Sequence, residues 1–191
     1  METPPFDPFS YRLADRLFAA RTVIVSGQIE HNMASRIIAQ LLALAAASDD
    51  DVTVVIHSQG GHVESGDSIH DVIRSIRPRV RMVGTGWVAS AGALIYVAVP
   101  REDRFCLPNT RFLLHQPWGG VGGGTPARDI EIEAEEIVKM RERINAILAR
   151  ATGQPIEKIR RDADRNFWLN PEEAVAYGLV GKVVERMEDV R

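Results

Sequence analysis

Gly86-Trp87-Val88-Ala89-Ser90-Ala91-Gly92-Ala93 crowds small residues around a single serine. Upstream, Val80 to Val83 is β-branched and apolar and predicts a strand. Downstream, Ala89 to Val97 reads as a buried helix. The serine therefore falls where a strand gives way to a helix. A hydroxyl can be exposed at such a start, and the N–H of Ala91 points toward an anion. By itself a run of small residues is more often the signature of close packing.

Two further segments change its meaning. Phe112-Leu113-Leu114-His115-Gln116-Pro117 is an apolar strand, predicted over Arg111 to Leu114, that ends in a histidine. Val54-Val55-Ile56-His57-Ser58-Gln59-Gly60-Gly61 is a strand, predicted over Val52 to Ile56, followed by a Gly-Gly pair suited to a tight turn. A weakly nucleophilic hydroxyl needs a base for its proton and main-chain N–H groups for the oxyanion. These three segments could supply all of it.

The same alternation extends outward in both directions. The opening ten residues, rich in Pro and Phe, read as an irregular arm, and Tyr11 to Ala20 spaces Leu13, Leu17 and Phe18 as a helix does. Thr22 to Ser26 is a strand stopped by Gly27. Asn32 is expected to cap a helix to about Ser48, with Ile37, Ile38, Leu41, Leu42 and Leu44 inward. A helix from about Ser65 to Ile76 stops before Arg77-Pro78. After the glycine-rich Gly119 to Gly124, a long helix from about Pro126 to Ala151 carries one apolar stripe of Ile130, Ile137, Met140, Ile144, Ile147 and Leu148. So narrow a stripe suits packing against a partner or projection from the body. Asn170-Pro171-Glu172-Glu173 is a capping box with proline at the first helical position, and Gly178 ends that helix before a last strand, Leu179 to Val184. Alternating strands and helices with no linker give one α/β domain over residues 1–191.

With 191 residues, 45% apolar and 26% charged, the composition is that of an ordinary globular chain. A net charge of −3 gives no electrostatic case for nucleic acid or an anionic membrane. Cys106, the single cysteine, excludes an intramolecular disulfide and reads as a small buried hydrophobe in a reducing interior. Met1 to Pro8 lacks a basic, apolar signal pattern, and no apolar run approaches a bilayer span. A cytoplasmic location is the expectation. His57 and His62 are not at metal spacing, no Lys-Ser/Thr follows the glycines, and no cofactor or metal is called for. Glu131, Glu133, Glu135 and Glu136 read as a solvated helix face.

In order, Ser58-Gln59-Gly60-Gly61, Ala89-Ser90-Ala91-Gly92, Leu107-Pro108-Asn109 with His115-Gln116-Pro117-Trp118-Gly119-Gly120, Asp129-Ile130-Glu131-Ile132 and Glu172 to Val180 resemble the Clp protease proteolytic subunit family (ClpP). The resemblance runs from about Tyr11 to Val184. It implies the ClpP/crotonase-like superhelix of strand–strand–helix units, with a protruding handle helix in the region of about 119–151. It also implies two stacked seven-membered rings that enclose the sites, fed with unfolded polypeptide by an ATP-driven AAA+ unfoldase. Residue by residue, it implies Ser90 as nucleophile, His115 as base, Gly60 and Ala91 as oxyanion-hole donors, and Asp164 with Arg165 as a pair linking ring–ring contact to active-site order.

The chain departs from that pattern where the third member of a triad should stand. Aligned without gaps, the family's aspartate position is Asn166. An amide oxygen can still accept the histidine Nδ1–H, but it brings no charge to stabilise the imidazolium. In another serine protease, Asp to Asn at this role costs about 10⁴ in turnover. Asp162 and Asp164 are the candidates for a substitute. Only ten residues precede Tyr11, Thr53 and Val55 stand where the family often has cleft aromatics, and the 119–126 stretch is about two residues longer than usual. Those features argue against unfoldase docking on this ring face and for an altered ring–ring contact. Three readings follow: a serine endopeptidase subunit, weak alone; an impaired structural or regulatory ring subunit that assembles with a paralogous ClpP; and a crotonase-like acyl-CoA enzyme, which would leave Ser90 and His115 without a role.

Overall fold

The computed structural model describes residues 8–117 and 126–190, with side chains from residue 12. Five strands form a parallel sheet in the order β1-β2-β3-β4-β7: β1 (Thr22–Ile29), β2 (Val52–Gly61), β3 (Val80–Ala89), β4 (Arg104–Cys106) and β7 (Lys182–Val183). β3 holds two partners in succession. Its Met82–Gly84 segment pairs with β4, and its Trp87–Ala89 segment pairs with β5 (Arg111–Leu114). β5 in turn takes β6 (Phe167–Leu169) antiparallel. The sheet therefore forks at β3.

Helices α2 (His31–Ala47), α3 (Val63–Ser75) and α4 (Ala91–Tyr96) lie against one face of this sheet. The sequence dictates which face. Along β2, Val52, Val54, Ile56, Ser58 and Gly60 are buried in strict alternation, the two-residue period of a strand with one face in the core. They meet Ile37, Leu41 and Leu44 of α2 and Ile69 and Ile73 of α3, all in the same buried cluster. On the opposite face, Val55 packs into a small second cluster with Val83, Phe105 and Val184. Tyr96 is fully buried and donates its hydroxyl to the Phe105 carbonyl (2.8 Å), tying α4 to the fork.

Several boundaries differ from the sequence reading. α1 (Pro8–Ala19) starts inside the expected irregular arm, and its Leu13 and Phe18 are exposed. Asn32 is not a cap: α2 starts at His31 with Glu30 at the N-cap, and Leu42 faces outward. β1 runs past Gly27, and β2 continues through Gly60 and Gly61 to pair with Gln28 and Ile29, so the Gly-Gly pair is strand rather than turn. β3 runs six residues past its expected end at Val83, because small residues continue it to Ala89. The last strand shrinks to Lys182–Val183, because the amides of Leu179 and Val180 return to the Ala174 carbonyl at the end of α7 (Pro171–Tyr177). The capping box of α7 is fully formed, with Glu173 N donating to Asn170 Oδ1 (2.8 Å) and Asn170 N to Glu173 Oε2 (2.8 Å). β4, β6 and α6 (Ile156–Asp162) were not anticipated, since elements this short carry no usable periodicity. The glycine-rich 119–124 run lies outside the described residues.

The long helix α5 (Ala127–Thr152) meets its expectation, and all of its buried residues (Asn145, Leu148 and Thr152) lie in its C-terminal two turns. The four expected glutamates on it are exposed. Arg143 pairs with Asp67 of α3, and Arg160 of α6 donates to Glu142 (3.0 Å), anchoring its base. No described helix is long and apolar enough to cross a membrane.

Two glycines of this sheet should respond very differently to substitution. A Cβ at Gly61 would lie 2.2 Å from the Ile29 carbonyl oxygen, whereas one at Gly27 (φ +89) meets nothing within 4 Å. Gly27→Ala should cost only backbone strain, about 1 kcal/mol, and Gly61→Ala well above that, since strand β1 must move. Thermal melts of the two variants against the parent chain check the order.

Candidate active site

Ser90 occupies the single residue between β3 and α4 and has a positive φ of 56° with ψ −123°. A non-glycine residue in that region costs on the order of 1–3 kcal/mol, which the surroundings must offset. Here the Ser90 amide donates to the Leu113 carbonyl (2.9 Å), while its own carbonyl receives the amides of Ala93 (2.9 Å) and Leu94 (3.2 Å). The turn is thus nailed to β5 on one side and to α4 on the other. Its side chain is lifted out of the sheet, half-buried rather than packed away.

β3 and β5 run parallel with Ala89 beside Leu113, so the chain reaches Ser90 and His115 at the same end of adjacent strands. Both line one small pocket, partly open to solvent. Its other walls are Val63, Ala91, Leu94, Leu114, Ile144 and Leu148 among others. Desolvation there lowers the His115 pKa below the usual imidazole value, and a backbone hydrogen bond at Gln116 opposes the shift. A base held neutral at physiological pH can take a proton.

β6 is the strand partner of β5, pairing Leu113 with Trp168 and Leu114 with Phe167, and its first residue directly follows Asn166. The connection is reinforced from the other side: Gln116 donates its amide to the Ala163 carbonyl (2.8 Å) and its Nε2 to the Asp164 carbonyl (2.8 Å). Asp164, Arg165 and Asn166 are all exposed. Asp162 is committed elsewhere. It receives Lys158 and the Tyr177 hydroxyl (2.8 Å), and although burial opposes this, those bonds hold its pKa below the usual carboxylate value. It offers no replacement for a missing aspartate.

Gly60 approaches the serine so closely that a Cβ there would lie 2.6 Å from Ser90 Cβ, 2.8 Å from the Ala89 oxygen and 3.1 Å from the Ala91 nitrogen. Only glycine fits. Its φ of +94° makes the same demand. Gly60 and Ala91 therefore both lie close to Ser90. What sequence did not reveal is that the Gly60 amide donates to Ser58 Oγ (3.0 Å). The other histidines of this region have structural work. His57 Nδ1 accepts the Trp87 amide (3.1 Å), and His62 caps α3 by accepting the Ser65 amide (3.2 Å). Cys106 is buried with its thiol pushed up to about 12 by desolvation, so it is inert packing.

A serine presented on a strained strand-to-helix turn, next to a neutral histidine and a rank of amides, defines the serine peptidase class. Comparison narrows it. A family model described as Clp protease matches residues 7–187, and the chain belongs to that family. It is 57% identical over 183 residues to the ATP-dependent Clp protease proteolytic subunit 3 of Rhizobium etli, covering 96% of this chain and 93% of the relative. The ATP-dependent Clp protease proteolytic subunit of Paracoccus denitrificans is 52% identical, with 96% and 92% covered. Among solved structures, ClpP1 from Listeria monocytogenes matches with a TM-score of 0.84 at 49% identity, covering 94% of this chain and 99% of that one. An Asn-to-Asp mutant of the same protein reaches 0.87 at 50% identity, with the same coverage.

Burying a neutral imidazole has a pH signature. The unfolded chain, with His115 near 6.5, binds a proton that the folded chain resists, so stability falls as pH drops through 6.5 toward the lower folded value. The parent chain should therefore lose stability relative to His115→Gln on going from pH 7.5 to 5.5. Paired denaturation curves at the two pH values measure it; parallel losses in both chains would contradict it.

Proposed function

We propose that this chain is a Clp-type serine endopeptidase subunit that hydrolyses peptide bonds of unfolded polypeptides. One observation carries the reading: Ser90 and His115 arrive at the same end of paired strands and line one apolar pocket. In this reading Ser90 Oγ attacks the scissile carbonyl while His115 Nε2 takes its proton. The oxyanion that forms is received by the amides of Ala91 and Gly60. His115 then returns the proton to the leaving amine, and water, activated by the same imidazole, releases the acyl group from Ser90. The lining of Val63, Leu94, Leu114, Ile144 and Leu148 favours an apolar substrate side chain next to the cleaved bond.

Asn166 supplies the acceptor for His115 Nδ1–H in this scheme. An uncharged acceptor fixes the ring but leaves the developing imidazolium without a counter-charge, so the isolated subunit turns over slowly. A specific observation favours the companion reading of a ring subunit that works beside a paralogous one: similar relatives are named subunit 3 and subunit 2, numbered members of sets. The largely unburied outer turns of α5, with Ile130, Ile132 and Val138 exposed, support face-to-face pairing of rings through that helix. Asp164 and Arg165, exposed on the turn that Gln116 holds, are assigned to the ring-contact pair. Thr53 and Val55 in place of aromatics argue against direct unfoldase docking on this face. The expected setting is the cytoplasm.

Fluorophosphonate labelling and peptide hydrolysis test both readings. Asn166→Asp should raise peptide turnover at least about 10-fold, a small part of the effect known for this exchange elsewhere. Ser90→Ala should abolish turnover and labelling together. Labelling absent from the parent, from Asn166→Asp and from mixtures with a candidate paralogue would leave the scaffold reading.

A further inference from the structure

A second cleft, much roomier than the pocket beside Ser90 and half open to solvent, lies among α3, the 97–104 segment and the end of α5. Arg74, Arg101, Arg104 and Arg150 line it together with His70, and no carboxylate does. Among the described residues none of these four arginines is in an ion pair. Asp67 and Asp103 hold Arg143 and Arg79 instead, while Asp71, on His70 Nδ1 (3.0 Å), and Glu102 are exposed. What the guanidiniums have is carbonyls. Arg101 donates to Val175 (2.7 Å) and Val180 (3.2 Å), Arg104 to Ala151 (2.6 Å) and Leu179 (3.0 Å), and Arg74 weakly to Ala98 (3.4 Å). A helix C-terminus carries about half a negative charge, so the ends of α3, α5 and α7 do not balance four full positive ones. Arg104 is the most telling of the four. It is 2% exposed, and its Nε is buried with no acceptor. Burial pulls its pKa below the usual guanidinium value, with Tyr96 opposing and Arg101 adding to the shift. A buried charge with an unpaired donor and no counter-charge is costly, and helix capping alone does not explain it.

We propose that this arginine-lined cleft is a binding site for a phosphate-class polyanion, a short chain of phosphoryl groups. The planar fork of a guanidinium matches phosphate oxygens in pairs, and four forks around one cleft exceed what a single carboxylate can satisfy. Arg74 and Arg150 are exposed arms on the last turns of α3 and α5, and Arg150 has no hydrogen-bond partner among the described residues. They can close on an anion whose inner end lies toward Arg101 and Arg104. Binding ties α3, the 97–104 segment and α5 together. α5 lends Ile147 and Arg150 to this cleft and Ile144 and Leu148 to the pocket beside Ser90, so the anion braces a helix that both cavities share. The site stands apart from the peptidase reading, because its readout is binding rather than turnover.

Titration calorimetry and thermal melts of the full-length chain test this with sodium tripolyphosphate, orthophosphate and metal-free ATP, against chloride at matched ionic strength. The variants are Arg74→Gln and Arg150→Gln, exposed arms whose loss spares the core. Arg36→Gln, exposed on α2 and outside the cleft, removes the same charge as a control. Tripolyphosphate should bind and raise the melting temperature by at least about 3 °C at saturation, with orthophosphate weaker by about 10-fold or more. Each cleft substitution should weaken tripolyphosphate about 10-fold, the size of one lost charge-assisted contact, and Arg36→Gln should change it by less than about twofold. ATP binding as tightly as tripolyphosphate supports the site with the phosphate chain as the part recognised. ATP binding about 10-fold tighter supports it with a nucleotide as the source. Absence of binding by tripolyphosphate and ATP alike, or equal weakening by Arg36→Gln, overturns the proposal. So does a change of assembly in the two cleft variants, read by light scattering, when the parent binds no tripolyphosphate: the arginines then serve acidic side chains of a second copy.

Discussion

The fork of the sheet at β3 is the constraint from which the rest follows. A strand normally keeps one neighbour on each edge. Here β3 gives its first half to β4 and its second half to β5, and the divergence opens just where small residues, Gly84 and Gly86, interrupt the β-branched run. His57 fills the gap: a Cβ at Gly86 would lie 2.3 Å from its Nδ1, which accepts the Trp87 amide. Because β5 joins so late, its end coincides with the end of β3. That coincidence, rather than any loop, brings a hydroxyl and an imidazole to one edge. β6 then adds antiparallel to β5.

Electrostatically this edge is sparse. The described ion pairs nearby are already spoken for, with Asp162 held by Lys158 and Tyr177, and Arg143 by Asp67. Fully buried Arg104 is devoted to carbonyls, donating to Ala151 (2.6 Å) and Leu179 (3.0 Å) at the ends of α5 and α7. Desolvation keeps the His115 imidazole neutral. Partly exposed ion pairs and the buried Arg104 hydrogen bonds hold the frame.

Much of this was readable in the sequence, and the failures have physical causes. Ser90, His115 and the Gly60-Gly61 pair stood out because each terminates an apolar run with a residue that packing alone does not require. The capping box at Asn170 was legible because its chemistry is local and complete within four residues. Boundaries in β1, β2 and β3 were misjudged because glycine breaks isolated strands but is tolerated at bulges, and only the tertiary register shows which applies. Asn32 looked like a cap, yet the helix start was set two residues earlier by the Glu30 carbonyl, which receives the Ala34 amide (2.9 Å). The bonds of Ser58 to Gly27 and Gly60 were invisible because they depend on two register slips, a property of paired strands and of no single segment.

Helix α5 spans about 39 Å at 1.5 Å per residue, and its base supplies Ile144 and Leu148 to the wall beside Ser90. Its far end rests on no core residue. It is therefore a lever with its fulcrum at the substrate cleft: a tilt of about 5° about Asn145 carries the tip roughly 2 Å, and the same rotation presses or relieves the wall by a fraction of an ångström. Whatever grips the distal turns has a mechanical advantage over the width of the cleft.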